Sequence, residues 1–269
     1  MSVALSELSV TEFLTLARAG FLPRGLVVGS AVLHATTPYN WSVSTAEITG
    51  LSRAMRTVRL LAVQRMRKQA AGMGADGIVD VRIDIEHHLW RGQRQVARCL
   101  ALGTAVVFDR DRAPEALRQA PSLRLKSGQP FDSELSGSDF ITLLHAGYRP
   151  ISVAMGCCVY GLDPRDLRAF RDEPGEVVPY TRAFLAAREL AMERLQQDLF
   201  KEHPHSGADA PTGIVGMSVH EEAHGGKGAS GVPIVEFTAL GTAVAPLAAD
   251  DPRRATGMPT PTLVVALDR

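Results

Sequence analysis

The chain has 269 residues, 45% hydrophobic and 22% charged, with 29 basic and 29 acidic side chains and no formal net charge. That length predicts about two domains, and the balanced charge disfavours a generally basic binder of nucleic acid or membrane surfaces. No apolar run approaches the roughly 18 residues of a membrane span, and three cysteines without CxxC spacing fit a reducing cytoplasm rather than a disulfide framework.

The N-terminus carries Glu7 and Glu12 and lacks the basic start and apolar core of a secretory signal. Ser9 and Glu12 form an S-x-x-E capping box, which predicts a short helix with Phe13, Leu16 and Ala17 on one face. Gly20 is placed for a left-handed helix terminus, and Pro23 stops the helix from continuing. The run Leu26–Leu33 is short and valine-rich, so it reads as a buried strand. Residues 35–52 read as loop. A long helix follows, with Met55, Val58, Leu61, Ala62 and Met66 as its apolar stripe. The GAD at 74–76 turns it into the strand Ile78–Glu86. Alternation there places Val79, Val81, Ile83 and Ile85 on one face and Asp80, Arg82, Asp84 and Glu86 on the other. A hairpin then leads to a strand at about Val96–Phe108.

The same order returns in the second half. LSVTEFLTLARAGFLPRGLVVGSAV at 8–32 reappears as LSGSDFITLLHAGYRPISVAMGCCV at 135–159, and ALGTAV at 101–106 is unchanged at 239–244. Ser136 and Asp139 stand where the capping box was, and Phe140, Leu143 and Leu144 supply the apolar face. The strand Ile151–Val159 comes next, then a helical turn around Leu167–Arg171 and a long helix striped by Phe184, Ala187, Ala191, Leu195 and Leu199. The strands Ile214–Glu222 and Ile234–Ala245 close the order. A repeat this long marks one structural unit used twice. The offset between copies grows from 127 at Phe13/Phe140 to 138 at Gly103/Gly241. Each step is an insertion in the second copy, which places loops between 34 and 57, 67 and 78, and 88 and 96. The expected domains are 1–108, a charged and Pro-containing linker at 109–132, a second repeat at 133–247, and a proline-rich tail at 248–269. TLVVAL at 262–267 is apolar enough for an edge strand.

In ARELAMERL at 187–195, GAD…GIVGMSV at 207–219, GADGIVDVRID at 74–84 and the two ALGTAV strands, the chain resembles the YbjQ family, whose label is heavy-metal-binding domain. The resemblance implies an α+β fold of two tandem, dodecin-like two-layer α/β units with antiparallel sheets, each covered by a single helix. The added helix at the start of each copy departs from the family pattern, as do the tandem arrangement, Leu51 at the family's tyrosine position and Gly175-Glu176 in place of Gly-Gly; Tyr180 is kept. The resemblance also implies self-assembly into a homo-oligomeric ring, commonly of five, and it brings no catalytic residues.

The candidate chemistry is positional. Asp84, Glu86 and His88 match His220, Glu222 and His224 at an offset of 136. Each set occupies alternate strand positions and so shares a face, where carboxylate and imidazole could hold a divalent metal such as zinc. His87, His203 and His205 could complete a shell; a solvated polar face explains the same pattern without a ligand. Cys157 and Cys158 are adjacent on a strand, so they point to opposite faces and read as buried structural thiols. Arg53, Arg56, Arg59, Arg65, Arg67 and Lys68 share a helix with no acid among them. They could meet an acidic partner, a solvated face being the plainer reading, and acids of another subunit could neutralise them. GGKGASG at 225–231 lies in a hairpin rather than before a helix, so it reads as a flexible loop. The functional expectation is a cytoplasmic, non-enzymatic, self-assembling protein, a scaffold or a small-ligand or metal-binding module. The alternatives are a divalent heavy-metal-binding protein proper and a metal-dependent hydrolase.

Overall fold

The structure is a computed structural model that describes residues 5–35, 45–90, 94–168, 174–224 and 233–254, with the side chains of 35, 87–90, 94, 95, 168 and 224 left aside. The expected edge strand at 262–267 and the 225–231 loop lie outside the described residues.

The chain folds as an α+β protein with two sheets, the second antiparallel throughout and the first antiparallel but for the short β3–β5 pair. Its elements run α1 (Val10–Arg18), β1 (Phe21–Ala35), β2 (Ala46–Glu47), α2 (Thr49–Gly72), β3 (Gly77–Trp90) and β4 (Arg94–Phe108). Then come β5 (Phe131–Asp132), α3 (Gly137–His145), β6 (Tyr148–Gly161), α4 (Pro164–Arg168), α5 (Val178–Glu202), β7 (Gly213–His224) and β8 (Ile234–Pro246). One sheet has the order β1-β4-β3-β5 and the other β2-β6-β8-β7. In each half the first long strand pairs antiparallel with the last, and the last with the middle one.

Local chemistry explains the helix ends. Both arms of the Ser9/Glu12 box are made, and the Ser136 hydroxyl accepts from the Asp139 N–H. Gly20 and Gly147 end these helices at φ 84° and 87°, Gly74 follows the C-cap of α2 at φ 71°, and Gly207 turns the loop beyond α5 at φ 97°. These left-handed conformations cost glycine little. Each first strand begins directly after its glycine, and Pro23 and Pro150 are accommodated where the ladder slips register.

The sheets pack under their helices at two equivalent points. A Cβ on Gly29 would overlap the Ala62 carbonyl oxygen of α2, and one on Gly156 would overlap that of Ala191 in α5. Glycine is what lets helix and strand approach so closely. Gly103 and Gly241 are likewise enclosed, by Ile78 and Ile214, each of whose Cγ2 would lie within 2.8 Å and 2.6 Å of an added Cβ.

Several expectations need correction. The 35–52 stretch is not all loop: β2 forms at 46–47, and α2 begins at Thr49. Val79 and Val81 do not share a face. Asp80 has φ 52° and the β3–β4 ladder slips between Val79 and Arg82, so a bulge turns Val79 into a different cluster from Val81. The equivalent slip in β7 has Gly216 at φ 66°. Residues 109–132 are no free tether. Ala113, Ala120, Leu123 and Phe131 are buried there, and β5 adds to β3 in parallel.

The halves are interlocked. β2, from the first half, pairs with β6 of the second sheet, while β5 completes the first. Phe21, Phe131 and Phe140 pack ring against ring where α1 meets α3, with centroids 5.1 Å and 5.3 Å apart. The two faces of β6 serve different cores. Ile151, Ala154 and Cys158 pack under α5, whereas Met155, Cys157 and Val159 pack against α2. The second sheet is therefore covered by a helix on each face. Among the described residues the first has α2 on the face of Val27 and Ala31, and α1 and α3 at its Phe21, Val79 and Val106 end, which leaves Val28 and Val32 exposed.

Candidate functional site: the groove between the sheets

Where β3 meets the β7–β8 face, the molecule has an open groove of about 870 Å³. Its apolar floor includes Met155 and Leu240, and Asp84, Glu86, His220, Glu222 and Glu236 line it. The register explains the gathering. His220 sits opposite Thr238 and Glu222 opposite Glu236, so alternation puts these side chains on the sheet face that looks toward α2. Asp84 and Glu86 enter from β3, beyond its bulge.

Four of the six candidate metal residues thus meet at one groove, across the two halves rather than within each. They do not converge. Among the described residues no group of three or more His, Cys, Asp or Glu side chains is close enough to hold a metal ion. His220 Nε2 lies 2.6 Å from Glu222 Oε1, and Glu86 lies 3.6 Å from Arg98. The imidazole and both of these carboxylates are already occupied with neighbours on their own sheets. His88 and His224 are strand residues whose side chains lie outside the described set. A resident metal held by one chain therefore does not fit the described donors.

The remaining histidines sit elsewhere. His203 reaches Ser152 Oγ at 2.7 Å in a second groove, of about 750 Å³, between the end of α2 and the 125–130 segment. Burial lowers the pKa of its ring. His205 stacks on Phe200. The thiols are inert for the same physical reason. Burial pushes Cys99 and Cys158 up to about 12 and Cys157 to about 11, so none is a ready thiolate at neutral pH. Cys157 and Cys158 face different cores, as alternation requires.

Helix α2's cations are largely consumed inside the chain. Arg56 and Arg59 both bond Asp198 of α5, and Arg67 binds Asp132, its Nε 2.5 Å from the carboxylate. Acids of the same chain, Asp132 of β5 and Asp198 of α5, neutralise this part of the run. The sequence showed the cations but not that α5 runs beside them.

Residues 24–109 match the family described as putative heavy-metal-binding, YbjQ type. The chain is also 35% identical over 242 residues to the encapsulin nanocompartment protein Rv1762c of Mycobacterium tuberculosis, a match covering 89% of this chain and 84% of that protein. The chain belongs to the same family as this mycobacterial protein, and its residues 24–109 carry the YbjQ-type match. The mycobacterial match spans both halves, so this family member shares its overall length, and not one unit alone, with that relative. Among the described residues no helix is long and apolar enough to cross a membrane.

Proposed function

We propose that this is a non-enzymatic, cytoplasmic, self-assembling protein built from two tandem YbjQ-like units, at 1–108 and 133–247, and that it serves as a structural component of a multi-chain assembly. The family resemblance adds a ring, with five chains and ten units as its expected size. The observation that carries the reading is a strip of the first sheet left exposed among the described residues: Val28 and Val32 of edge strand β1 are exposed, while their counterparts in β6 are buried under a helix. The shared pattern of strand pairing, bulges and helix-facing glycines supports the tandem units. The relative named as a nanocompartment protein supports an assembly role.

The second reading is divalent-metal capture through Asp84, Glu86, His88, His220, Glu222 and His224. It is favoured by four of these lining one groove and opposed by the absence, among the described residues, of any group of three donors close enough to hold an ion. Facing sets from neighbouring copies would have to complete the shell. An acidic partner could reach only what remains of α2's basic surface, around Arg53 and Lys68. A native mass spectrum of untagged protein tests both readings at once. The first predicts a multiple of the 28.9 kDa chain without added metal mass, and a monomer refutes it. Bound zinc at fixed stoichiometry would move the metal reading ahead.

A further inference from the structure

Within the chain, the first half docks on the second through one repeated-looking set of contacts. Ala46 and Glu47 of β2 add to the edge of β6 opposite Gly161 and Tyr160, and the Ile48 N–H donates to the Val159 carbonyl at 2.8 Å. The Ser52 hydroxyl of α2 accepts from the Val159 N–H at 3.0 Å, and Arg59 donates to the Met155 carbonyl. Glu47 closes the contact by pairing with Arg194 of α5 at 2.7 Å.

Among the described residues, the docking groups of the first half have exposed counterparts in the second. Val177 precedes α5 at φ −86°, ψ 79°, as Ile48 precedes α2 at φ −85°, ψ 74°. Gly175 and Glu176 therefore stand where Ala46 and Glu47 stand, and both are exposed. Thr181 and Arg188 match Ser52 and Arg59; they are exposed, whereas Ser52 and Arg59 are buried. On the receiving side, Gly29 aligns with Gly156 through the same helix approach, so Val28, Ser30 and Val32 match Met155, Cys157 and Val159. Val28 and Val32 are 40% and 62% exposed; Met155 and Val159 are 3% and 0%. β1 is an edge strand, as β6 would be without β2. Arg65 bonds the Ser30 carbonyl as Arg194 bonds that of Cys157, so Arg65 occupies the position that receives Glu47 in the other half.

We infer that a second copy of this chain covers the outer face of the first sheet, docking head to tail through Gly175–Val177 and the exposed side of α5. Gly175 and Glu176 extend the β1 edge of the neighbour opposite His34 and Leu33. Val177 donates to its Val32 carbonyl, and Glu176 pairs with its Arg65. The inference rests on the self-assembly reading above and names its contact. The donor surface and the receiving surface differ, so the contact is heterologous. Each chain carries one of each, and repetition closes into a ring when the rotation permits. A segment added to a sheet edge, with an apolar face beneath it, is an established mode of protein recognition.

Charge reversal tests it on the full chain. Sedimentation velocity at micromolar concentration is run on the wild type, Arg65→Glu, Glu176→Arg and the double variant. All altered residues are exposed, and thermal melting checks that each variant folds. The inference predicts an assembled wild type, at least ten-fold weaker association in each single variant, and recovery in the double. Val32→Asp, a carboxylate placed in the contact's apolar centre, predicts loss of assembly as well. A wild type that assembles while all three single variants assemble equally well overturns this interface and leaves self-assembly standing. Failure of the double variant to recover overturns the Glu176–Arg65 pairing. A monomeric wild type overturns both.

Discussion

Gly29 and Gly156 each lie where a helix carbonyl presses on the strand, and each has a backbone oxygen in the place of its absent Cβ. Backbone cannot rotate away as a side chain can, so even one methyl group must separate helix from sheet. Gly156→Ala is expected to cost about 3 kcal/mol or more, read as a lower urea midpoint. A loss near zero would contradict the close approach. Glu134 is a residue of another kind. Burial raises its carboxyl to about 7, and its Oε1 has no hydrogen-bond partner among the described residues. A carboxyl raised in the folded state favours the protonated form. Its stabilising contribution is full below the unfolded value of about 4.3 and is lost as the pH rises through about 7. Glu134→Gln should therefore flatten the fall in melting temperature between about pH 4.5 and pH 7 and leave the variant more stable than wild type at pH 8. Parallel pH profiles for the two proteins would contradict this.

At the scale of elements, the contact between α2 and α5 rests on charge held out of water. Arg59 is buried and shares Asp198 with Arg56. Removing the carboxylate leaves a buried guanidinium without its counter-charge, so Asp198→Ala is expected to cost about 3–5 kcal/mol, measured by chemical denaturation. Much of this architecture was legible in the sequence. The helix stripes through Val58, Ala62 and Met66, and through Ala187, Ala191 and Leu195, are the buried faces, and the drifting offset located the GAD turns and hairpins. What could not be read is what depends on contact between distant segments. The bulge at Asp80 has no glycine to announce it, although its counterpart Gly216 does. β2 and β5 are two residues long and carry no pattern; they are strands because β6 and β3 offer open edges. Alternation put Asp84 with Glu86 and His220 with Glu222, but nothing local says that the two pairs line one groove, or that His220 turns to its own neighbour.

For the whole molecule, the organising fact is an asymmetry between similar halves. Among the described residues the second sheet has a helix on both faces, while the first leaves part of one face uncovered, with Val28 and Val32 toward solvent. An edge strand whose valines face solvent, beside Arg98, Asp84 and Glu86 on the same sheet face, is a surface that another strand can extend. The chain carries its own match for that surface in the exposed side of α5, and in this account covering it is what the second half does for the next copy. Native mass spectrometry of the untagged chain across a dilution series from micromolar to nanomolar tests this most directly. A closed assembly gives one species of fixed subunit number at the upper end, a whole multiple of 28.9 kDa. A 28.9 kDa monomer at every concentration, or a smear of stoichiometries with no closed state, would contradict it.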